Sequence, residues 1–177
     1  GTTIRIDPAA VSGASGADTL NGTAESDLIS GLGGNDVISA LEGNDTISVI
    51  SSGTYDGGDG TDALRLGAPG TLDLTESTLS NLEILEFNTG GNQITLTAAQ
   101  INNFTSFSGN AGQTNTLTMD TTGSIDLSAK HLSNISAISA TSGTDSIIGS
   151  TGNDVISGLG GADTISAHAG DDVISIS

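Results

Sequence analysis

A nine-residue period governs what this chain can fold into. It reads most plainly as Gly31-Leu32-Gly33-Gly34-Asn35-Asp36-Val37-Ile38-Ser39, with Gly fourth, Asp sixth and a large aliphatic residue eighth. The sixth position supplies Asp18, Asp27, Asp36 and Asp45, then Asp62, and near the C-terminus Asp145, Asp154, Asp163 and Asp172. The fourth position supplies Gly16, Gly34, Gly43, Gly60, Gly143, Gly152, Gly161 and Gly170. Glu25 replaces that Gly in one copy, so its turn is expected to be modified. Two residues after the Asp stand Leu20, Ile29, Ile38 and Ile47, then Leu64, then Ile147, Ile156, Ile165 and Ile174.

Gly at fixed places permits tight turns with positive φ. The triplet around each aliphatic residue is a short strand whose central side chain points inward. Two nonapeptides thus make one coil, with a turn and a strand on each side, and coils stack at about 4.8 Å. Asp18 then lies under Asp36, Asp27 under Asp45, Asp145 under Asp163 and Asp154 under Asp172. The expected class is all-β, a right-handed parallel β-roll or β-helix solenoid. Leu28, Val37, Val155 and Val173, one residue after their Asp, are expected to face outward.

The charge suits such ladders. The chain has 21 acidic residues and 3 basic ones, a net charge of −18, which argues against nucleic acid or an anionic membrane as partner and for a cation. Aromatic residues are 2% and Trp is absent, so a thick globular core is hard to build; small and β-branched residues suit thin stacked strands. With no Cys, disulfides and thiolate metal sites are out. No apolar run approaches the roughly 20 residues of a membrane helix, so no membrane insertion is expected. The chain begins at Gly1 rather than Met and shows no signal peptide, and is read as processed or cut from something longer.

In order, residues 1–66 form a first repeat block, with a leading strand expected over Thr3–Ile6. A slip follows Asp45: Thr54 falls where an Asp is due, and Asp62 comes one residue early. Asp56, Asp59 and Asp62 are candidates for an irregular cation site or for a solvated acidic loop. Residues 67–142 hold three larger coils, built from related units at 73–82, 95–104 and 126–135, each with a hydroxyl placed as a helix N-cap before one or two helical turns. There Asn92 stands where Asp would, which suggests a lost cation. Residues 143–177 are a second repeat block, and the whole is one continuous solenoid.

Gly57-Gly58-Asp59-Gly60-Thr61-Asp62-Ala63-Leu64-Arg65 carries the full pattern G-G-x-G-x-D-x-U-x, U being a large aliphatic. This and the eight other copies resemble the RTX (hemolysin-type) calcium-binding nonapeptide repeat. The resemblance implies several calcium ions, each enclosed between two stacked turns by the sixth-position carboxylates and by carbonyls of the Gly-rich turns; the spacing by itself permits this. Calcium takes six to eight oxygen ligands, and magnesium, which demands a smaller octahedron, should substitute poorly. Without the ion, two carboxylates about 5 Å apart repel by roughly 3 kcal/mol at an effective dielectric of 20. His131 and His168 are far apart and lack metal-ligand spacing. Asp73 and Asp126 read as turn or cap residues.

No catalytic constellation is present, so no enzyme activity is expected. The resemblance implies a protein exported by a Gram-negative bacterium through type I secretion and folded by extracellular calcium. Three functions fit: a secreted or surface-layer structural subunit that self-associates on calcium, a secretion and folding module of a larger exoenzyme or toxin, and an adhesin for cell-surface glycan. The strand that ends at Ser177 has no cap after it, which favours self-association.

Overall fold

The computed structural model describes residues 9–176, so the strand expected over Thr3–Ile6 lies outside the described residues. The first block contains β1 (Ala9–Ser12), β2 (Thr19–Asn21), β3 (Asp27–Ser30), β4 (Asp36–Ser39), β5 (Thr46–Val49) and β6 (Gly53–Asp56). The wider coils contain β7 (Ala63–Leu66), β8 (Gly70–Asp73), β9 (Thr78–Ser80), β10 (Ile84–Glu86), β11 (Asn92–Leu96), α1 (Ala98–Asn103), β12 (Ser106–Ser108), β13 (Asn115–Met119), β14 (Ser124–Asp126) and β15 (His131–Ser133). The last coils contain β16 (Ala137–Ser139), β17 (Ser146–Ile148), β18 (Val155–Leu159), β19 (Thr164–Ser166) and β20 (Val173–Ile176).

These elements form an all-β solenoid of about 8 turns. Every strand pairing is parallel, because each strand stacks on its counterpart one coil away. Thus Ile29 pairs with Ile47, and Ile47 with Leu64. The eighth-position side chains Ile29, Ile38, Ile47, Leu64, Ile147 and Ile156 are buried. Leu20 and Ile165 are partly buried against the same core. Ile174 stays 45% exposed, since β20 has a described neighbour on one side only. Leu28, Val37, Val155 and Val173 face outward, 41–57% exposed. No helix among the described residues is long and apolar enough to cross a membrane.

The cross-section changes along the axis. The first coils have two sides, β1-β3-β5 and β2-β4-β6. With β8 a third side opens, and it continues as β8-β11-β13-β16-β18-β20. The first side continues from β5 through β7, β10 and β12 and ends at β15, and the last coils are two-sided again, on the β16-β18-β20 and β14-β17-β19 sheets. The stacked contacts show the length this takes: 18 residues separate Asp27 from Asp45, 21 separate Asp62 from Glu83, and 22 separate Asn102 from Ser124. The longer coils enclose more space, and Phe87, Phe104, Phe107 and Met119 fill it. The Phe104 and Phe107 rings meet tilted at 60° with centroids 5.8 Å apart, a favourable aromatic geometry.

Of the three helical turns expected in the wide coils, one is a helix. Thr97 caps α1: its hydroxyl accepts the Gln100 N–H, and the Gln100 Oε1 accepts the Thr97 N–H. The other two units make single turns, closed by Ser77 N–H to Leu74 and Lys130 N–H to Leu127. The reason is a carboxylate two residues before the hydroxyl. Asp73 Oδ1 accepts both the N–H and the hydroxyl of Thr75, and Asp126 Oδ1 does the same for Ser128. Such local bonds compete with a helix. Thr95, which pairs with Asp73, offers no carboxylate.

Because Phe107 is fully buried, Phe107→Ala should lower stability by about 3–5 kcal/mol. Chemical denaturation with and without calcium checks this. A loss below about 1 kcal/mol would show that the wide coils are not packed as described.

Candidate metal centre

The aspartate ladders are built by backbone hydrogen bonds. Parallel stacking sets the N–H of each sixth-position Asp against the carboxylate one coil on. Asp18 N–H donates to Asp36 Oδ1 at 3.0 Å, Asp27 to Asp45 at 2.7 Å and Asp45 to Asp62 at 2.7 Å. Asp145 donates to Asp163 at 3.0 Å and Asp154 to Asp172 at 2.9 Å. All nine predicted carboxylates therefore stand in stacks, and Asp27, Asp36, Asp45, Asp62, Asp145 and Asp154 are buried.

The second oxygen, Oδ2, meets one of two fates. In four turns it accepts the N–H four residues back: Ala14 to Asp18, Thr23 to Asp27, Thr141 to Asp145 and Ser150 to Asp154. Where that residue carries a hydroxyl, the hydroxyl donates too. These turns are closed. In the other five turns the second-position residue has positive φ: Leu32 63°, Leu41 78°, Gly58 92°, Leu159 60° and His168 74°. No such bond reaches Asp36, Asp45, Asp62, Asp163 or Asp172, and these turns are open. Their fourth-position glycines Gly34, Gly43, Gly60, Gly161 and Gly170 have φ from 104° to 151°, whereas Gly16, Gly143 and Gly152, in closed turns, do not. The open-turn glycine is also required by contact, since a Cβ on Gly60 would run into the carbonyl oxygen of Gly43 below it.

Asp45 Oδ2 and Asp62 Oδ2 are buried and have no hydrogen-bond partner. Burial pushes both carboxyls up from the ordinary 3.8; the stacked Asp62 and Asp27 charges add to this at Asp45, and Glu83 and Asp56 add to it at Asp62. Asp27 Oδ1 is also orphaned, on the side of β1, where Ala9 stands opposite. An orphaned, desolvated carboxylate oxygen fits a hard cation, and calcium accepts oxygen ligands alone. Among the described residues no three acidic or imidazole side chains converge. Carboxylates here stand one per coil in each column, and the Gly-rich turns would supply the remaining oxygens as carbonyls.

Glu83 belongs to this ladder and was missed. Its Oε2 accepts the Asp62 N–H at 2.9 Å, so it caps the stack of Asp27, Asp45 and Asp62. An acid two residues before the buried Leu85 was the available signal. The slip after Asp45 is taken up between Val49 and Gly53, so Gly53, and not Thr54, stands opposite Asp36. Tyr55 fills the inward position over Ile38 and donates its hydroxyl to the Ser51 carbonyl. Asp56, Asp59 and Asp62 make no joint cluster: the Asp56 carboxylate accepts from the Asn81 amide, and the Asp59 backbone pairs with that of Glu42 in an isolated β-bridge.

In the wide coils amide donors stand where the ladder would need a cation. Asn92 Oδ1 accepts the Asn88 N–H, as a closed-turn Asp would, while its Nδ2 donates to the Ala68 carbonyl at 2.7 Å. Asn115 Nδ2 likewise donates to the Asn134 carbonyl at 3.0 Å. His131 lies on β15 and His168 in an open turn, both exposed.

Residues 12–47 and 139–174 match the RTX calcium-binding nonapeptide repeat, in four copies. The match leaves out the Gly57–Arg65 copy and the wide coils. No curated protein and no solved structure matches the chain.

The raised carboxyls at Asp45 and Asp62 fix a pH dependence. A carboxyl with a folded pKa above its unfolded value contributes stability below the unfolded pKa, and that contribution is lost as pH rises through the folded value. Metal-free protein should therefore melt higher in mild acid than at neutral pH, over a window that starts near 3.8 and extends upward. Saturating calcium should flatten the difference. Thermal melts in chelator across that window check it, and a melting point that rises with pH in chelator would contradict it.

Proposed function

We propose, from the premise that this is an RTX-repeat protein whose repeats bind calcium, that the chain is a structural module set by calcium outside the cell, and not a catalyst. The observation that carries this reading is the stacked pair of buried, unpartnered oxygens on Asp45 and Asp62. Where calcium is scarce, as in a cytosol, each stacked carboxylate pair stands unneutralised, at a cost of roughly 3 kcal/mol per pair. Where calcium is abundant, as outside a cell, the ion offsets that repulsion and cross-links two coils. Such a chain can be exported unfolded through type I secretion and fold on arrival.

The wide coils need no ion for this. Asn92 and Asn115 staple their turns to a neighbouring coil, Gln100 Nε2 donates to the Leu74 and Ser77 carbonyls, and Lys130 Nζ donates to those of Asn102 and Phe104. Calcium then orders two thin arms on a self-standing middle. Hydrogen exchange in EGTA should leave amides of residues 70–133 protected, while those of 13–62 and 145–176 exchange freely until calcium is added. Equal protection everywhere in EGTA would remove calcium from the fold.

Self-association completes the reading. Leu28, Val37, Val155 and Val173 put weakly apolar flanks on the outside of the strand stacks, and calcium lowers the −18 charge that keeps such flanks apart. A surface-layer or filament subunit follows. The second reading, a calcium-dependent folding module of a larger exoenzyme or toxin, is favoured by the repeats themselves. Light scattering and negative-stain microscopy against calcium separate the two. Ordered assemblies support the subunit, and a strict monomer at millimolar calcium and high protein concentration supports the module.

A further inference from the structure

We infer that the primary calcium site is the stack of the 57–62 turn on the 40–45 turn, and that the four closed turns hold their carboxylates by hydrogen bonds in place of an ion. This rests on calcium being the ligand of the repeats and adds which turns take it first.

The second position of each turn makes the division. With negative φ, as at Thr23 or Ser150, the N–H points back into the turn and saturates Asp Oδ2. With positive φ, as at Leu41 and Gly58, that N–H makes no bond to Asp45 or Asp62, and Oδ2 is free. The glycine at the fourth position then brings the carbonyl of the turn below against its own Cα, as Gly43 O meets Gly60. The two turns are tied to each other by the Gly43 N–H to the Asp59 carbonyl and the Asp59 N–H to the Leu41 carbonyl. The oxygens this leaves without a donor are Asp45 Oδ2 and Asp62 Oδ2, hard ligands of the kind a divalent cation takes.

Stacking decides the rank. The open turns of Asp36, Asp45, Asp163 and Asp172 each rest on a closed turn, that of Asp18, Asp27, Asp145 and Asp154 in turn. The Asp62 turn alone, among the described residues, rests on another open turn, that of Asp45. It is also where both partners keep an Oδ2 that neither water nor protein reaches. Asp27 has an orphaned oxygen as well, but its Oδ2 already takes two donors from Thr23.

Calcium titrated by calorimetry into the full chain tests this. Leu41→Thr gives the turn the hydroxyl of the closed class, whereas Leu41→Gly removes the same half-exposed side chain and keeps positive φ without strain. Leu41→Thr should weaken the tightest calcium binding by on the order of tenfold or more. Leu41→Gly should retain it, and so should Leu159→Thr, in an open turn that rests on a closed one. Equal behaviour of Leu41→Thr and Leu41→Gly, or a loss in Leu159→Thr as large as in Leu41→Thr, overturns the assignment while calcium binding stands. A wild-type chain that takes no calcium overturns the reading of the repeats themselves.

Discussion

The structure depends on like charges being stacked on purpose. A parallel solenoid places residue i of one coil over its counterpart in the next, so an acid repeated once per coil becomes a column of acids. Backbone donors meet part of the demand: the N–H groups of Asp18, Asp27, Asp45, Asp145 and Asp154 each bind the Oδ1 of the Asp one coil on, and that of Asp62 binds Glu83. They cannot meet the rest, because a coil offers one such N–H per Asp and each carboxylate has two oxygens. What satisfies Oδ2 then decides whether a turn stands alone or needs a cation. Closed turns answer with their own N–H, and open turns leave the oxygen bare.

That choice is set by a backbone angle. Leucine in the left-handed region costs roughly 1–2 kcal/mol, and Leu32, Leu41 and Leu159 are also among the exposed large apolar residues. Neither strain nor exposure helps an isolated turn. Both persist only if the surroundings over-determine the conformation. The surroundings here are the carbonyl stacked on the fourth-position glycine and the Asp N–H bonded to Oδ1. A chain selected for hydrogen-bonded turns alone would have used the Thr23 solution throughout.

Much of this was legible from the period of nine. Strand positions, the inward aliphatic residues and the stacking of Asp18 under Asp36 follow from spacing, because a repeat that stacks has one self-consistent register. The closed turns left a partial mark, a hydroxyl four residues before Asp27, Asp145 and Asp154; Ala14 leaves none. Glu83 was hidden because its coil is 21 residues long, not 18. The helix count went astray because the same hydroxyl can cap a helix or close a short turn. Asp73 and Asp126 tip it to the turn by taking the N–H and hydroxyl of Thr75 and Ser128, whereas Thr95 stands at that place before Thr97.

Metal ladders in the narrow coils and amide staples in the wide ones solve one problem. A narrow coil turns inward about one large aliphatic side chain per strand, each worth about 1.5–3 kcal/mol when fully buried. That is little against the entropy of ordering a glycine-rich coil, since Gly loses more freedom on folding than any other residue. A cation shared by two coils supplies the missing cross-link. The wide coils bury all three Phe residues, Met119 and a run of Leu and Ile, so packing carries them, and the Asn92 and Asn115 amides tie coil to coil. An aspartate at Asn115 would put an uncompensated charge in a fully buried site for no structural return. The charge is therefore kept where the core is thinnest, and there a cation shared by two coils adds most to the fold.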